Sequence, residues 1–186
     1  MRAQAEFELA VRLREGAATL GEVYAFISGL YFRGKVAYAE AFGAAPSGIP
    51  HALAIVPGMG LIPTDAVLSL DQLQQIARVP VDAENAAYRD PLRDAAALLN
   101  QQAGPDCRYI LLGSIATEKY TAPLLEIFGS RLLFPGEFVG RGDMSRGGLM
   151  LRCARNFQEL SYVPVYGAVR HGRRPPKLEP LRKRPV

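Results

Sequence analysis

The sequence has few of the side chains that usually announce chemistry. Two cysteines, Cys107 and Cys153, occur in 186 residues, too few for a disulfide framework. Each stands beside an apolar run, as a small buried side chain in a reducing compartment would. His51 and His171 are the only histidines, and neither has a second ligand at metal spacing, so no zinc or iron site is expected. No apolar run approaches the roughly 20 residues that cross a bilayer. Residues 1–15 are charged and periodic rather than continuously apolar, which argues against a secretory signal. A cytoplasmic location with no membrane partner is expected. The motif inventory is equally thin: no Gly-Lys-Ser/Thr phosphate loop, no dinucleotide fingerprint and no nucleophile elbow, so no cofactor is implied.

What is present begins with a core. Hydrophobic residues make up 49% of the chain, the proportion of an ordinary globular domain, and the length suits one domain with an appended tail. The formal charge of +4 is unevenly held. From Arg170 onward there are seven basic residues and one acid, Glu179, whereas the first 169 residues carry 15 basic and 17 acidic side chains. A body of charge −2 does not resemble a nucleic-acid groove. The tail does carry phosphate-binding chemistry, through Arg173, Arg174, Lys177, Arg182, Lys183 and Arg184, but has no aromatic residue after Tyr166 to stack on bases. A solvated tail, or one docked on an acidic partner, is the plain alternative.

Periodicity organises the rest. Ala5, Leu9, Leu13 and Ala17 recur at helical spacing, as do Val23, Ile27, Leu30, Gly34, Tyr38 and Phe42 on a second helix that Gly43 ends. Gly34 lies mid-helix at a cost of ~1 kcal/mol against alanine, which close packing would explain. The apolar runs 52–56, 108–112 and 131–134 read as buried strands, and 149–153 and 160–165 as an antiparallel pair turning near Asn156. Helices are expected over 70–77, over 91–102 with Pro91 in the first turn, and over 121–128 with Gly129 as stop. The order predicts an α/β fold: one domain, 1–169, with a mixed, mostly parallel sheet flanked by helices, N-terminal helices, and a basic, flexible tail, 170–186.

Ligands of such sheets gather beyond the carboxyl ends of parallel strands. Three segments would meet there: Pro57 to Asp65, Gly113 to Tyr120, and Gly136 to Gly148. In the first, Gly58, Gly60 and Asp65 either serve a ligand or merely turn the chain. In the second, Gly113 and Ser114 approach a helix start, where unpaired amides attract anions. In the third, the stretch Gly140 to Gly148 pairs four glycines with Arg141, Ser145 and Arg146, groups suited to phosphate or carboxylate; its bland reading is a long loop with solvated arginines. Arg33 and Lys35 stand on neighbouring but different faces of their helix, from which they could reach an anionic ligand, though solvation is the ordinary state of such side chains. If there is turnover, carboxylates are the available acids and bases: Asp65, Glu118, Glu137 and Asp143, with Glu137 and Asp143 the leading pair. A salt bridge to Arg141 or Arg146 explains those two equally well.

Three stretches taken together carry a likeness: Ser28-Gly29-Leu30-Tyr31-Phe32-Arg33, then Ile55 to Asp65 with Pro57-Gly58-Met59-Gly60, then Leu111-Leu112-Gly113 with Tyr120 and Leu124. They resemble a group of bacterial α/β proteins related to the peroxide-stress resistance family and to a domain of archaeosine synthase, over roughly residues 24 to 148. The cysteine-lysine strand of that group is absent, and Gly58-Met59 replaces its lysine-tyrosine. The resemblance implies a nucleotide- or nucleic-acid-related role and a site formed by Tyr31, Arg33, Gly60, Asp65 and Gly113; it supplies no reaction. The expectation is therefore an anionic small molecule or nucleotide at the strand ends. The alternatives are a nucleic-acid accessory acting through the tail, or an interaction scaffold.

Overall fold

The computed structural model describes residues 5–178. Arg182, Lys183 and Arg184 lie outside the described residues. The chain runs α1 (Glu8–Arg14), α2 (Leu20–Ser28), α3 (Leu30–Phe42), β1 (Leu53–Val56), β2 (Gly60–Pro63), α4 (Leu70–Ala77) and α5 (Ala86–Ala103). It continues through β3 (Tyr109–Ile110), α6 (Glu118–Phe128), β4 (Leu132–Pro135), α7 (Asp143–Asn156) and β5 (Tyr162–Pro164).

Capping chemistry sets several helix starts. Thr19 with Glu22 and Ser69 with Gln72 each close a reciprocal capping box at α2 and α4. Glu22 is further held by Arg12, at 2.7 and 2.8 Å, and this pairing lowers its carboxyl to about 2. The long N-terminal helix expected over 23–42 is divided at Gly29, whose φ of 59° and ψ of −133° leave the helical region. Helix α5 starts five residues before Pro91, because Asn85 Oδ1 accepts from Ala87 N at 3.2 Å and begins the helix there.

The expected mostly parallel sheet is overturned. The molecule is mainly helical, with two small sheets: a β1–β2 antiparallel hairpin and a three-stranded sheet ordered β3-β4-β5, in which only β3–β4 is parallel. Two local causes account for this. Gly58 and Gly60, at φ 78° and 83°, fold the chain straight back after β1, so that run ends in a hairpin and not in a crossover. Residues 149–153 are not a strand either. They continue α7, where Gly147, Met150 and Cys153 are buried at helical spacing and no breaker intervenes before the left-handed Phe157.

Apolar burial falls into three clusters. Tyr88, Leu92, Phe128 and Phe134 centre the first, between α5, α6 and β4. Leu20, Val23 and Val56 belong to the second, under α1, α2 and the hairpin. Tyr38, Phe138, Met150 and Leu160 form the third, between α3 and α7. Helices α3 and α7 cross in close contact because glycine faces glycine: a Cβ on Gly34 would lie 2.6 Å from the Gly147 carbonyl oxygen, and one on Gly147 2.6 Å from that of Leu30. The close packing anticipated at Gly34 is thus present, with α7 as its partner.

Candidate functional site

One crossover unit survives from the expected sheet, and it positions the site. Strand β3, helix α6 and strand β4 form a β-α-β arrangement with parallel pairing. Both strands release the chain at the same edge. From β3 it passes Gly113 and Ser114 into the first turn of α6; from β4 it passes a 3-10 turn, Gly136–Phe138, into the first turn of α7. Helix α3, held on α7 by the glycine crossing, brings Tyr31 and Lys35 to this edge.

Arg146, only 12% exposed, donates from Nε to the Phe138 carbonyl at 3.2 Å and from Nη1 to Asp143 Oδ1 at 3.3 Å. Arg141 donates from Nε to the Glu137 carbonyl at 3.0 Å and from Nη1 to Ser145 Oγ at 3.2 Å. Both guanidiniums are therefore steered by neutral backbone or hydroxyl oxygens, and only one meets a carboxylate. The cap residue of α7, Gly142, has no side chain to offer, and the Arg146 amide is the first to bond back, to the Gly142 carbonyl. The amides of Asp143, Met144 and Ser145 remain for solvent or a ligand.

Tyr31 and Lys35 complete the cluster one helical turn apart. The Tyr31 hydroxyl oxygen is buried without a hydrogen-bond partner. Burial raises its pKa to about 12, against the opposing pull of nearby Arg146. Lys35 Nζ stands 4.2 Å from the Tyr31 ring centre and 5.7 Å from that of Phe32, and makes no ion pair among the described residues. Burial lowers its pKa to about 8, with Asp143 pulling up and Arg146 pushing down. Tyr120, in the first turn of α6, also acts electrostatically on Tyr31, which ties that helix start to the same locality.

The structure sorts the sequence candidates into groups. Tyr31, Asp143, Ser145 and Arg146 come together, and Arg141 joins them through Ser145. Gly113 and Ser114 leave β3 at the same edge, but the Ser114 hydroxyl accepts from Ala116 N at 3.3 Å. Glu137 does not pair with Asp143: its Oε1 accepts from Ser161 N at 3.2 Å, while Asp143 is tied to Arg146. Gly58, Gly60 and Asp65 belong elsewhere. A Cβ on Gly60 would collide with the Pro91 carbonyl on α5, one on Gly58 would press Val79, and Asp65 is exposed after β2. Arg33 lines a different feature, an open depression of about 480 Å³ with Glu8, Arg12, Glu22 and Phe26. In that depression Arg12 is committed to Glu22, so it offers an anion little beyond Arg33.

From sequence, Lys35 has two readings, reaching an anionic ligand or being simply solvated, with the second favoured. The signal that places it is its i+4 spacing from Tyr31 and its position beside Gly34, the residue that lets a second helix approach. Among the described residues no group of three or more His, Cys, Asp and Glu side chains is arranged to hold a metal, and no helix is long and apolar enough to cross a membrane.

The tail lies close to this edge. Arg170 Nη1 meets Glu118 Oε1 at 3.1 Å, the backbone at Gly172 and Arg173 packs against Gly140, and Leu178 approaches Gly148. Comparison with family models, with curated proteins and with solved structures finds nothing that matches this chain.

Proposed function

We propose that this protein binds a phosphorylated small molecule, of which a nucleotide is the favoured class, at the carboxyl edge of the β3–β4 pair. Lys35, Arg146 and Arg141 supply charge, the Tyr31 hydroxyl and Ser145 supply hydrogen bonds, and the free amides of the α7 first turn face the same anion. The observation that carries this reading is the pairing of Tyr31 and Lys35: a buried hydroxyl beside Arg146 that lacks a hydrogen bond of full geometry, and a half-buried ammonium with no carboxylate at ion-pair distance. Each is costly alone, the hydroxyl by about 1–3 kcal/mol, and one bound phosphate would satisfy both. No reaction is assigned, because the carboxylates near the site are already engaged.

Titration calorimetry with inorganic phosphate, AMP and ADP tests the proposal. Lys35→Met and Tyr31→Phe should each weaken binding at least tenfold, whereas Arg33→Ala should leave it within twofold. Wild-type protein that takes up none of the three, or variants that bind like wild type, would overturn it.

A further inference from the structure

Nine residues beyond the last strand form a strap with three seats. Arg170 is fastened to Glu118 in the first turn of α6. Gly172 and Arg173 lie on Val139 and Gly140, and glycine is required on both sides: a Cβ on Gly140 would run into the Arg173 carbonyl, and one on Gly172 would sit 2.6 Å from Val139 Cγ1. Gly140 also has a φ of 74°, which other residues adopt only under strain. Leu178 closes the strap, its Cδ1 3.6 Å from the Cβ position of Gly148 on α7. Between the second and third seats come Arg173, Arg174, Pro175, Pro176 and Lys177. The first turn of α7 lies between Gly140 and Gly148 in the same way, so the strap runs alongside it. The two prolines stiffen this stretch.

Electrostatics separate the strap's cations. Arg170 is paired with Glu118, but Arg173, Arg174 and Lys177 make no ion pair among the described residues. All three are exposed and fall within five residues of chain, so a polyanion beside the strap would be attracted by each of them.

The geometry points to Arg173 and Arg174 as the second half of the phosphate site, making compounds with two or more linked phosphates its preferred ligands. This inference rests on the anion site proposed above. The first phosphate is held by Lys35, Arg146 and the α7 amides; the next lies toward the strap, within an arginine's length of Gly140.

Calorimetry with inorganic phosphate, pyrophosphate and tripolyphosphate reads this as a ratio. The wild type should bind pyrophosphate at least tenfold more tightly than phosphate. In the Arg173→Ala/Arg174→Ala variant the ratio should fall to near one. Gly140→Ala, which wedges a methyl group under the strap while keeping both arginines, should also collapse it. Equal affinity for phosphate and pyrophosphate in the wild type, or an unchanged ratio in both variants, overturns the inference while the single-phosphate site stands. Failure to bind any of the three removes the underlying site as well. An oligouridylate lacking terminal phosphates that binds more tightly than tripolyphosphate, and depends on the same arginines, would overturn the inference by giving these cations to a nucleic-acid backbone.

Discussion

Lys35 illustrates how one side chain can lower stability and serve binding together. Its ammonium is shifted to about 8 by burial, whereas in the unfolded chain it titrates near ~10.4. Between those values the unfolded state holds a proton that the folded state has lost, so stability rises with pH across that window. Below pH 8 the charge is present in both states and its burial penalty is felt in full. Lys35→Met should therefore melt at a higher temperature than wild type at pH 7, and the gap should close between pH 8 and 10.5. Thermal melts at pH 7, 9 and 10.5 check this, and parallel curves would show that the lysine is well solvated. Affinity for sulfate, whose charge is constant here, should fall in the wild type as pH rises through 8. From sequence, the clustering of Gly, Ser and Arg singles out Arg141, Ser145 and Arg146, and the structure places these three in and just before the first turn of α7. The sequence did not separate Lys35 from Arg33, since which face of α3 is covered depends on a helix more than a hundred residues away.

At the level of elements the decisive contact is the crossing of α3 and α7. Alanine usually improves a helix over glycine by up to about 1 kcal/mol. At Gly147 the added methyl would lie 2.6 Å from the Leu30 carbonyl oxygen and 2.7 Å from Tyr31 Cα, and backbone cannot swing aside as a side chain can. Gly147→Ala should destabilise by roughly 1–3 kcal/mol in urea unfolding and also weaken anion binding, because it displaces Tyr31. The adjacent Gly148 is the control. Its methyl would meet only Leu178 Cδ1 at 3.6 Å, an ordinary contact, so Gly148→Ala should be neutral or stabilising. If the two variants behave alike, the crossing is not the constraint described here. The same glycines explain why residues 140–153 were read as a loop and a strand. Four glycines within nine residues carry a weak helical signal, and for Gly147 the reason is the partner helix α3, which lies far off in the chain.

For the molecule as a whole, three apolar clusters have to act as one body, and polar contacts help to join them. Tyr38, 2% exposed on α3, accepts from Leu160 N at 2.8 Å, and its hydroxyl lies 2.7 Å from that of Tyr162, which donates to Glu159 Oε1 at 2.8 Å. This chain ties α3 to the approach of β5 and so to the three-stranded sheet. Tyr38→Phe would leave the Leu160 amide buried without an acceptor, at a cost of about 1–3 kcal/mol. Tyr162→Phe keeps that acceptor and should cost less. Urea unfolding of both variants tests the order, and equal losses would place the stabilisation in the hydroxyl pair instead of the amide.

By itself the sequence determined the local rules. These include helix α4 over residues 70–77 and the stops at Gly43 and Gly129. Such features depend on residues within one or two turns of each other, where capping, φ preference and apolar spacing act directly. Tertiary structure alone decided how the runs pair. Four apolar residues serve a parallel or an antiparallel partner equally well, and only the turn at Gly58 to Gly60 and the docking of α7 on α3 chose between them. It also decided the site. A lysine, a tyrosine and two arginines from distant stretches form one charged edge only when two glycines let their helices touch.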